Sequence, residues 1–299
     1  MIKNVAASVR QKLLDITKAR NRPFSETLQY FAMERFLYRL SKSDHAEKFI
    51  LKGALMLRVW ETSQYRPTMD IDMLGKTSNE TNAIIQQVKE IIGTSVEPDG
   101  ITFDDRSITA ERITEDADYE GIRVSFEGKL DNAKIHMQID IGFGDKVHPQ
   151  PRKSSIPTII DLPSPEILCY SKESSISEKF ETMVKLGEIN SRMKDFYDIW
   201  LLSRQFDFAG KDLAQSIRLT FEQRKTDFPK NLEYFSNEFA RSKQLQWTAF
   251  TNKLKQEFVP NNFIEVINHI RLFLSPIITS MQSHQTPPSK WIAPNKWID

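Results

Sequence analysis

Two aspartates separated by one residue, Asp70 and Asp72, are the side chains of this sequence that point most directly to chemistry. They lie in the run 69–74, which has the pattern of a β-strand. Residues two apart on a strand project to the same face, so both carboxylates point one way while Ile71 enters the core. Such carboxylates repel unless a cation lies between them, and Mg²⁺ prefers carboxylates together with substrate phosphates. The pair predicts a magnesium site; a solvated strand edge is the ordinary alternative.

A third carboxylate, Asp140, lies on a later strand candidate, residues 134–141. Polar and apolar residues alternate along this segment, so Asp140 projects from the polar face of its own strand. If this strand neighbours the one that carries Asp70 and Asp72, three carboxylates converge on one metal site. Two bound metal ions can then activate an attacking hydroxyl and stabilise a departing pyrophosphate. The alternative for Asp140 alone is the solvated face of an antiparallel strand.

A glycine turn precedes the aspartate pair. The short apolar run 49–51 ends at Lys52 and Gly53, and the residues from Ala54 to position 60 have a helical pattern. A strand, a tight turn and a helix start are an arrangement suited to phosphate binding. We therefore predict that Lys52, Gly53 and Ala54 contact a nucleotide.

Two further polar residues lie just before the aspartate pair. Arg66 can brace a triphosphate with two parallel hydrogen bonds, or it is an ordinary loop arginine. Thr68 lies two residues before Asp70 and shares its strand face if the strand already begins there. His136 and His148 are possible ligands, but isolated histidines more often have structural roles.

The patterns around these residues divide the chain into two parts. Residues 1–160 are predicted to form an α/β lobe with a mixed sheet, and residues 161–299 an all-α lobe, which together make an α+β fold. Ser25 is predicted to cap the second helix, and a proline-punctuated stretch over 149–165 to connect the lobes. The predicted helices are 5–19, 25–41, 80–93, 177–188, 194–206, 211–224, 230–256 and 260–281; further strands are 121–126 and 134–141.

Composition excludes several classes of protein. The 299 residues carry 41 Lys and Arg against 40 Asp and Glu, which excludes a polycation but not a local basic groove. A single cysteine, Cys169, excludes an intramolecular disulfide. The charged N-terminus is unlike a signal peptide, and no run approaches the roughly 18 apolar residues of a membrane span. We therefore expect a cytoplasmic protein without membrane association.

These features together resemble the DNA-polymerase-β-type nucleotidyltransferases, which carry a glycine turn, an acidic pair and a later third carboxylate. The more specific resemblance is to the AbiEii/AbiGii toxin family, which includes the MenT toxins. Its members usually have Gly or Ser where this chain has Ala54, whose N–H can still bind phosphate although a serine hydroxyl contact is lost. The segments that carry the resemblance are FILKGALML (49–57), RPTMDIDMLG (66–75), QIDIGFGD (138–145) and EKFETMVKLGEINSRMKDFYDIWLL (178–202).

The resemblance also implies that a lysine and an aspartate of segment 178–202 complete the active site. Lys179 matches the lysine, while Asp195 and Asp198 both remain candidates for the aspartate. From the residues alone, these charges would be surface ion pairs of little energy. Asp195 lies in the first turn of its helix, where the helix dipole gives it a structural role. We therefore predict that Asp198 serves activity and Asp195 mainly stability.

The function implied by the resemblance is magnesium-dependent transfer of a nucleoside monophosphate from an NTP to the 3′ end of a tRNA. Growth inhibition and phage defence would follow, and a winged-helix or kinase-like antitoxin would be the partner. In some members of the family an antitoxin modifies the position of Thr68. One alternative is a magnesium-dependent phosphoesterase or nuclease with the same carboxylates, although the glycine turn favours NTP binding. Another is a non-catalytic binding module, against which the three carboxylates and Lys179 argue.

Overall fold

A computed structural model of the protein describes residues 4–62, 66–115, 119–229, 235–254, 256 and 258–298. The chain forms two compact units. The first comprises Met1–Gly144 and Pro151–Tyr170, and the second comprises Asp145–Gln150 and Ser171–Asp299. The division into domains at residue 160 stays a prediction.

The first unit begins with two long helices that its sheet packs against. The side chain of Asn4 caps the first helix by accepting a hydrogen bond from the backbone N–H of Ala7. The second helix begins after Pro23, whose carbonyl accepts the first helical hydrogen bonds. Ser25 lies inside that helix and the prediction that it is the cap is wrong, because Pro23 already occupies the capping position. The helices of this unit are α1 Val5–Arg20, α2 Phe24–Lys42, α3 Met56–Val59 and α4 Thr81–Ile92.

The first unit also contains the mixed sheet that the sequence predicts, and this sheet has seven strands. Its strands are β1 Phe49–Lys52, β2 Ile71–Gly75, β3 Ile101–Glu115, β4 Tyr119–Leu130, β5 Ala133–Phe143, β6 Arg152–Ser155 and β7 Glu166–Cys169. The strand order is β3-β4-β5-β2-β1-β7-β6. The pairs β2–β5 and β1–β7 are parallel, and the others are antiparallel.

Several details of the strands differ from the sequence-based expectations. β2 begins at Ile71, so Asp70 directly precedes the strand and is not part of it. β3 was not predicted because it is an edge strand, and edge strands carry charges that obscure the alternating pattern. The stretch 149–165, predicted only to connect the lobes, contains β6. β7 lies in the part of the chain predicted to be all-α, and it pairs with β1 through Leu51 and Cys169.

In the residues that the structure describes, the second unit is helical except for a small sheet. Its helices are α5 Lys172–Leu186, α6 Met193–Gln205, α7 Gly210–Arg224, α8 Asn237–Ser242, α9 Gln244–Leu254 and α10 Phe263–Gln282. The predicted helix 230–256 is two helices, and its residues 230–234 lie outside the described part.

The tail of the second unit contributes two strands. The strands β8 Phe208–Ala209, β9 Lys290–Ile292 and β10 Lys296–Ile298 form this three-stranded sheet. Trp291 is fully buried in it, and the indole Nε1–H of Trp291 donates to the carbonyl of Ser203 at 2.6 Å. Of the helices in the described ranges, none combines the length and apolar character that crossing a bilayer requires.

Candidate active site

The pairing register of the sheet aligns five charged residues in one transverse row. Lys52 of β1 is paired with Asp72 of β2, and Asp72 is paired with Asp140 of β5. On the other side, Asp140 is paired with Arg123 of β4, and Arg123 with Glu111 of β3. Directly opposite residues on neighbouring strands project to the same face of a sheet. The row therefore alternates positive and negative side chains, except for the adjacent carboxylates of Asp72 and Asp140.

Asp70, Asp72 and Asp140 form the carboxylate triad of this site. Each offers a carboxylate oxygen, and the three atoms lie within 4.8 Å of one another. Asp140 is buried and the other two are half-buried. The hydroxyl of Thr68 donates to the carboxylate of Asp70. Three converging carboxylates at a partly open position are a donor set of hard oxygen ligands, which fits Mg²⁺.

The glycine turn lies directly against this triad. Gly53 has a φ of +71°, a conformation that L side chains rarely adopt, and a Cβ built on it would lie 1.8 Å from the Oδ2 of Asp72. Glycine is therefore required here both by the backbone angle and by the neighbouring carboxylate. Ala54 follows in a short 3-10 turn, and Lys52 before it is buried with its ammonium 5.7 Å from the ring centre of Tyr170.

Arg123 is a residue of this site that the sequence analysis missed. Its guanidinium donates from Nε to Oδ1 of Asp140 at 2.8 Å and from a terminal nitrogen to Oδ2 at 2.7 Å. These hydrogen bonds to Asp140 raise the pKa of Arg123. Gln138 adds weaker contacts from its amide to the same carboxylate, at 3.2 and 3.3 Å. Alternation within β4 places Arg123 on the polar face, but only the register shows that it is opposite Asp140.

Arg66 and Thr68 line a pocket beside the glycine turn. Two more arginines, Arg22 and Arg58, line the same pocket, and the guanidinium carbon of Arg58 lies 3.5 Å from the ring centre of Tyr30. We call this the arginine pocket; its other lining residues are Glu26, Thr27, Ala54, Leu55, Pro67 and Ile159. Three guanidinium groups beside a glycine turn suit the oxygens of a polyphosphate.

The remaining predicted site residues belong to the second unit. The ammonium of Lys179 lies 3.3 Å from Oδ1 of Asp195 and 3.1 Å from Oδ2 of Asp198. Both aspartates are only 1% exposed. The prediction that these three residues form surface ion pairs is therefore wrong, because both aspartates are buried. Breaking such a buried ion pair by removing one partner costs several kcal/mol. Lys179 bridges both candidate aspartates.

Asp195 has a second cationic partner besides Lys179. The Nε of Arg192 donates to Oδ2 of Asp195 at 2.7 Å. Burial acts to raise the pKa of Asp195, but the charges of Lys179 and Arg192 outweigh burial and hold this pKa at about 2. Asp195 therefore stays ionised and ties the start of α6 to α5.

Comparison with known proteins identifies one family. The model of the nucleotidyl transferase AbiEii toxin family, a type IV toxin–antitoxin system, matches residues 35–268. Two crystal structures align with 84% of this chain: a candidate nucleotidyltransferase from H. pylori (14% identity, TM-score 0.48, 94% of that chain) and JHP933 from Helicobacter pylori (15% identity, TM-score 0.46, 91% of that chain). No curated protein matches the sequence significantly.

Proposed function

This chain belongs to the AbiEii nucleotidyl transferase toxin family of type IV toxin–antitoxin systems, and from that premise we propose that it transfers the nucleoside monophosphate of an NTP to an RNA acceptor. The acceptor proposed is the 3′ end of a tRNA, and the partner is a cognate winged-helix or kinase-like antitoxin. The reaction takes place in the cytoplasm and inhibits growth. The observation that carries this proposal is the convergence of three carboxylates beside a glycine turn.

The proposed reaction is an in-line displacement at the α-phosphorus of the NTP. The oxygen of the acceptor hydroxyl forms a bond to this phosphorus, and the bond from the phosphorus to the bridging oxygen of the β-phosphate breaks. Pyrophosphate leaves, and the proton of the acceptor hydroxyl passes to a carboxylate of the triad. Bound Mg²⁺ would be held by Asp70, Asp72 and Asp140 and would supply positive charge beside the phosphate oxygens.

The chain's own residues have distinct proposed tasks around this step. The backbone N–H groups of Gly53 and Ala54 bind phosphate oxygens, because the turn leaves them at the start of a helix. Lys52 and Arg66 neutralise the triphosphate, and Thr68 holds the carboxylate of Asp70 in place. In the second unit, Asp195 and Asp198 hold the ammonium of Lys179, the lysine to which the family resemblance assigns a catalytic role.

A labelling experiment tests the proposed function. The protein is incubated with each α-labelled NTP, magnesium and total RNA, and the RNA is separated on a gel. Label on a tRNA band is expected for the wild type and not for Asp72→Ala. Free phosphate without labelled RNA would instead indicate a phosphoesterase, and degraded RNA a nuclease. NTP binding without turnover would indicate a binding module.

A further inference from the structure

A second groove lies close to the carboxylate triad and is separate from the arginine pocket. It has a volume of about 390 Å³ and is lined by Ser25, Leu28, Gln29, Met69, Asp70, Lys134, Ile135, His136 and Gln138. We call it the Gln29 groove. The arginine pocket is lined by different α2 residues, namely Glu26, Thr27 and Tyr30. Each residue of an α-helix turns by about 100°, so the two sets project from opposite faces of α2.

Gln29 gives the groove a fixed floor. Gln29 is 5% exposed, and its amide Nε2 donates to the carbonyl of Met69 at 2.9 Å and to the carbonyl of His136 at 3.0 Å. These two hydrogen bonds tie the segment before β2 to β5. The wall that carries Asp70 and the wall that carries His136 are therefore held at a set separation.

The rim of the groove offers contacts of three kinds. His136 is exposed, with 64% of its side chain accessible, and presents an imidazole ring; Lys134, also exposed, presents a positive charge. Met69 is 52% exposed and presents a flexible apolar surface. Gln138 lines the groove while its amide contacts Asp140 at 3.2 Å, so the groove opens onto the triad.

We propose that the Gln29 groove binds the unpaired 3′-terminal nucleotide of the RNA acceptor, an inference that rests on the proposed function. In phosphoryl transfer the attacking and leaving oxygens lie roughly in line on opposite sides of the phosphorus. With the pyrophosphate on the side of the glycine turn and the arginine pocket, the attacking hydroxyl approaches from the other side. The Gln29 groove lies on that side, because it borders the face of α2 opposite to the arginine pocket and is lined by Asp70.

The size and chemistry of the groove favour a single unpaired nucleotide. Its volume is at the low end for ligand sites, which are about 300–1,000 Å³, and a duplex does not enter such a space. Unpaired RNA bases stack on side chains such as histidine and are read through hydrogen bonds on their edges. The ring of His136, whose Nδ1 lies 3.2 Å from Glu127, provides the stacking surface. The amide oxygen of Gln138 provides the polar edge, since the amide nitrogen contacts Asp140, and Lys134 provides a contact to a phosphate.

Steady-state kinetics with two substrates tests this proposal, with tRNA as the probe. His136→Ala is expected to raise the KM for tRNA by about 10-fold, the scale of losing one base-stacking contact. Lys134→Glu is expected to raise it at least as much, while the KM for the NTP stays unchanged in both variants. Lys89→Glu is the matched control, because Lys89 is exposed on α4 and lines neither pocket. An unchanged KM for tRNA in both groove variants would overturn the proposal.

A crosslinking experiment gives a readout that does not depend on turnover. A tRNA that carries 4-thiouridine at its 3′-terminal position is irradiated with the protein, and the attached peptide is mapped. Attachment at Met69 or within residues 134–138 supports the groove, and attachment elsewhere rejects it. A wild type that labels no RNA would reject the proposed function itself; labelled tRNA with unaffected groove variants would reject only the groove. Labelling of a protein hydroxyl in place of RNA would also overturn the groove's assignment.

Discussion

At the scale of single residues, the contact between Arg123 and Asp140 sets the electrostatics of the carboxylate triad. Both oxygens of Asp140 accept from the guanidinium. The positive charge of Arg123 compensates the negative charge of the buried Asp140 carboxylate, which lies opposite Asp72 on the neighbouring strand. A divalent cation that binds the triad has to share Asp140 with this fixed positive group. Arg123 therefore competes electrostatically with the cation while it holds the carboxylate in position.

The substitution Arg123→Gln is expected to raise the affinity of the nucleotide-free protein for Mn²⁺ by roughly tenfold. It removes one unit of positive charge beside the cation, an interaction worth on the order of 1 kcal/mol or more at this range. Calorimetric titration of Mn²⁺ measures it, and Arg123→Lys is the control that keeps the charge. Weaker Mn²⁺ binding by Arg123→Gln would show instead that Arg123 is needed mainly to position Asp140.

The two aspartates that contact Lys179 are expected to differ in their roles. Asp195→Asn removes a carboxylate whose low pKa stabilises the fold above about pH 4, a contribution that is lost as the pH falls toward 2. At pH 7 it should therefore lower the melting temperature by several degrees. Asp198→Asn should lower the transfer rate more than the stability. Thermal melts and transfer assays on both variants decide this, and an active Asp198→Asn beside a stable, inactive Asp195→Asn would reverse the assignment.

Lys179 contacts both aspartates, and its substitution tests whether this lysine serves the proposed transfer reaction. Lys179→Ala should lower the transfer rate by about 10²-fold or more, the scale of removing an electrostatic stabiliser. Single-turnover kinetics at saturating NTP measures this. Lys185→Ala, on the same helix, is the control. Loss of folding in Lys179→Ala without any rate effect in the milder Lys179→Arg would indicate a purely structural lysine.

At the scale of secondary-structure elements, the turn from β1 into α3 and the start of β2 constrain each other. The left-handed conformation of Gly53 brings the turn so close to Asp72 that a side chain does not fit. The turn can then offer its N–H groups directly beside the carboxylates. A glycine in the turn and an aspartate in the next strand are therefore parts of one local arrangement.

Gly53→Ala is expected to displace the carboxylate of Asp72 and abolish binding of Mn²⁺ with NTP. It should also destabilise the protein by about 1–2 kcal/mol, the cost of a left-handed conformation for a residue with a Cβ. Calorimetry and denaturant unfolding measure the two effects. Gly93→Ala, at the end of α4 with a φ of −79°, is the control and should retain binding. Normal binding by Gly53→Ala would mean that the turn can move away from Asp72.

At the scale of the whole molecule, a buried glutamate of α2 makes stability depend on pH. Glu34 is 1% exposed, forms an ion pair with Arg35 at 2.8 Å and accepts a hydrogen bond from the N–H of Ile159 at 2.7 Å. Burial is the main cause that raises its pKa to about 7, against the lowering effect of Arg35. Glu34 thereby links α2 to the chain that leads into β7.

Because the pKa of Glu34 is raised on folding, the folded state binds its proton more tightly than the unfolded state. The resulting stability is fully present below about pH 4.5 and is lost as the pH rises through 7. In denaturant unfolding, the free energy of unfolding of the wild type should fall by up to about 3 kcal/mol over this pH range, at about 1.4 kcal/mol per pKa unit. The free energy of unfolding of Glu34→Gln should fall less. An equal pH dependence of the free energy of unfolding in both proteins would contradict the prediction.

The sequence by itself determined the local features of this protein. The spacing of Asp70 and Asp72, the alternation around Asp140 and the glycine turn at Gly53 depend on residues close together along the chain. The same is true of the long helices, whose apolar periodicity is a local pattern. These features sufficed for the fold class, a mixed sheet followed by a helical part, and for the family.

Only the tertiary structure decided which of these features meet. Strand pairing between distant segments sets the register of the sheet. This register places Asp72 opposite Asp140 on one side and Arg123 opposite Asp140 on the other. The packing of α5 on α6 likewise buries Lys179 with its two aspartates. The sequence does not predict this burial, because charged residues on a helix usually face the solvent. β3 and β7 escaped prediction for the same reason. Charged edge strands and short buried strands carry little periodicity, and only pairing with their neighbours makes them strands.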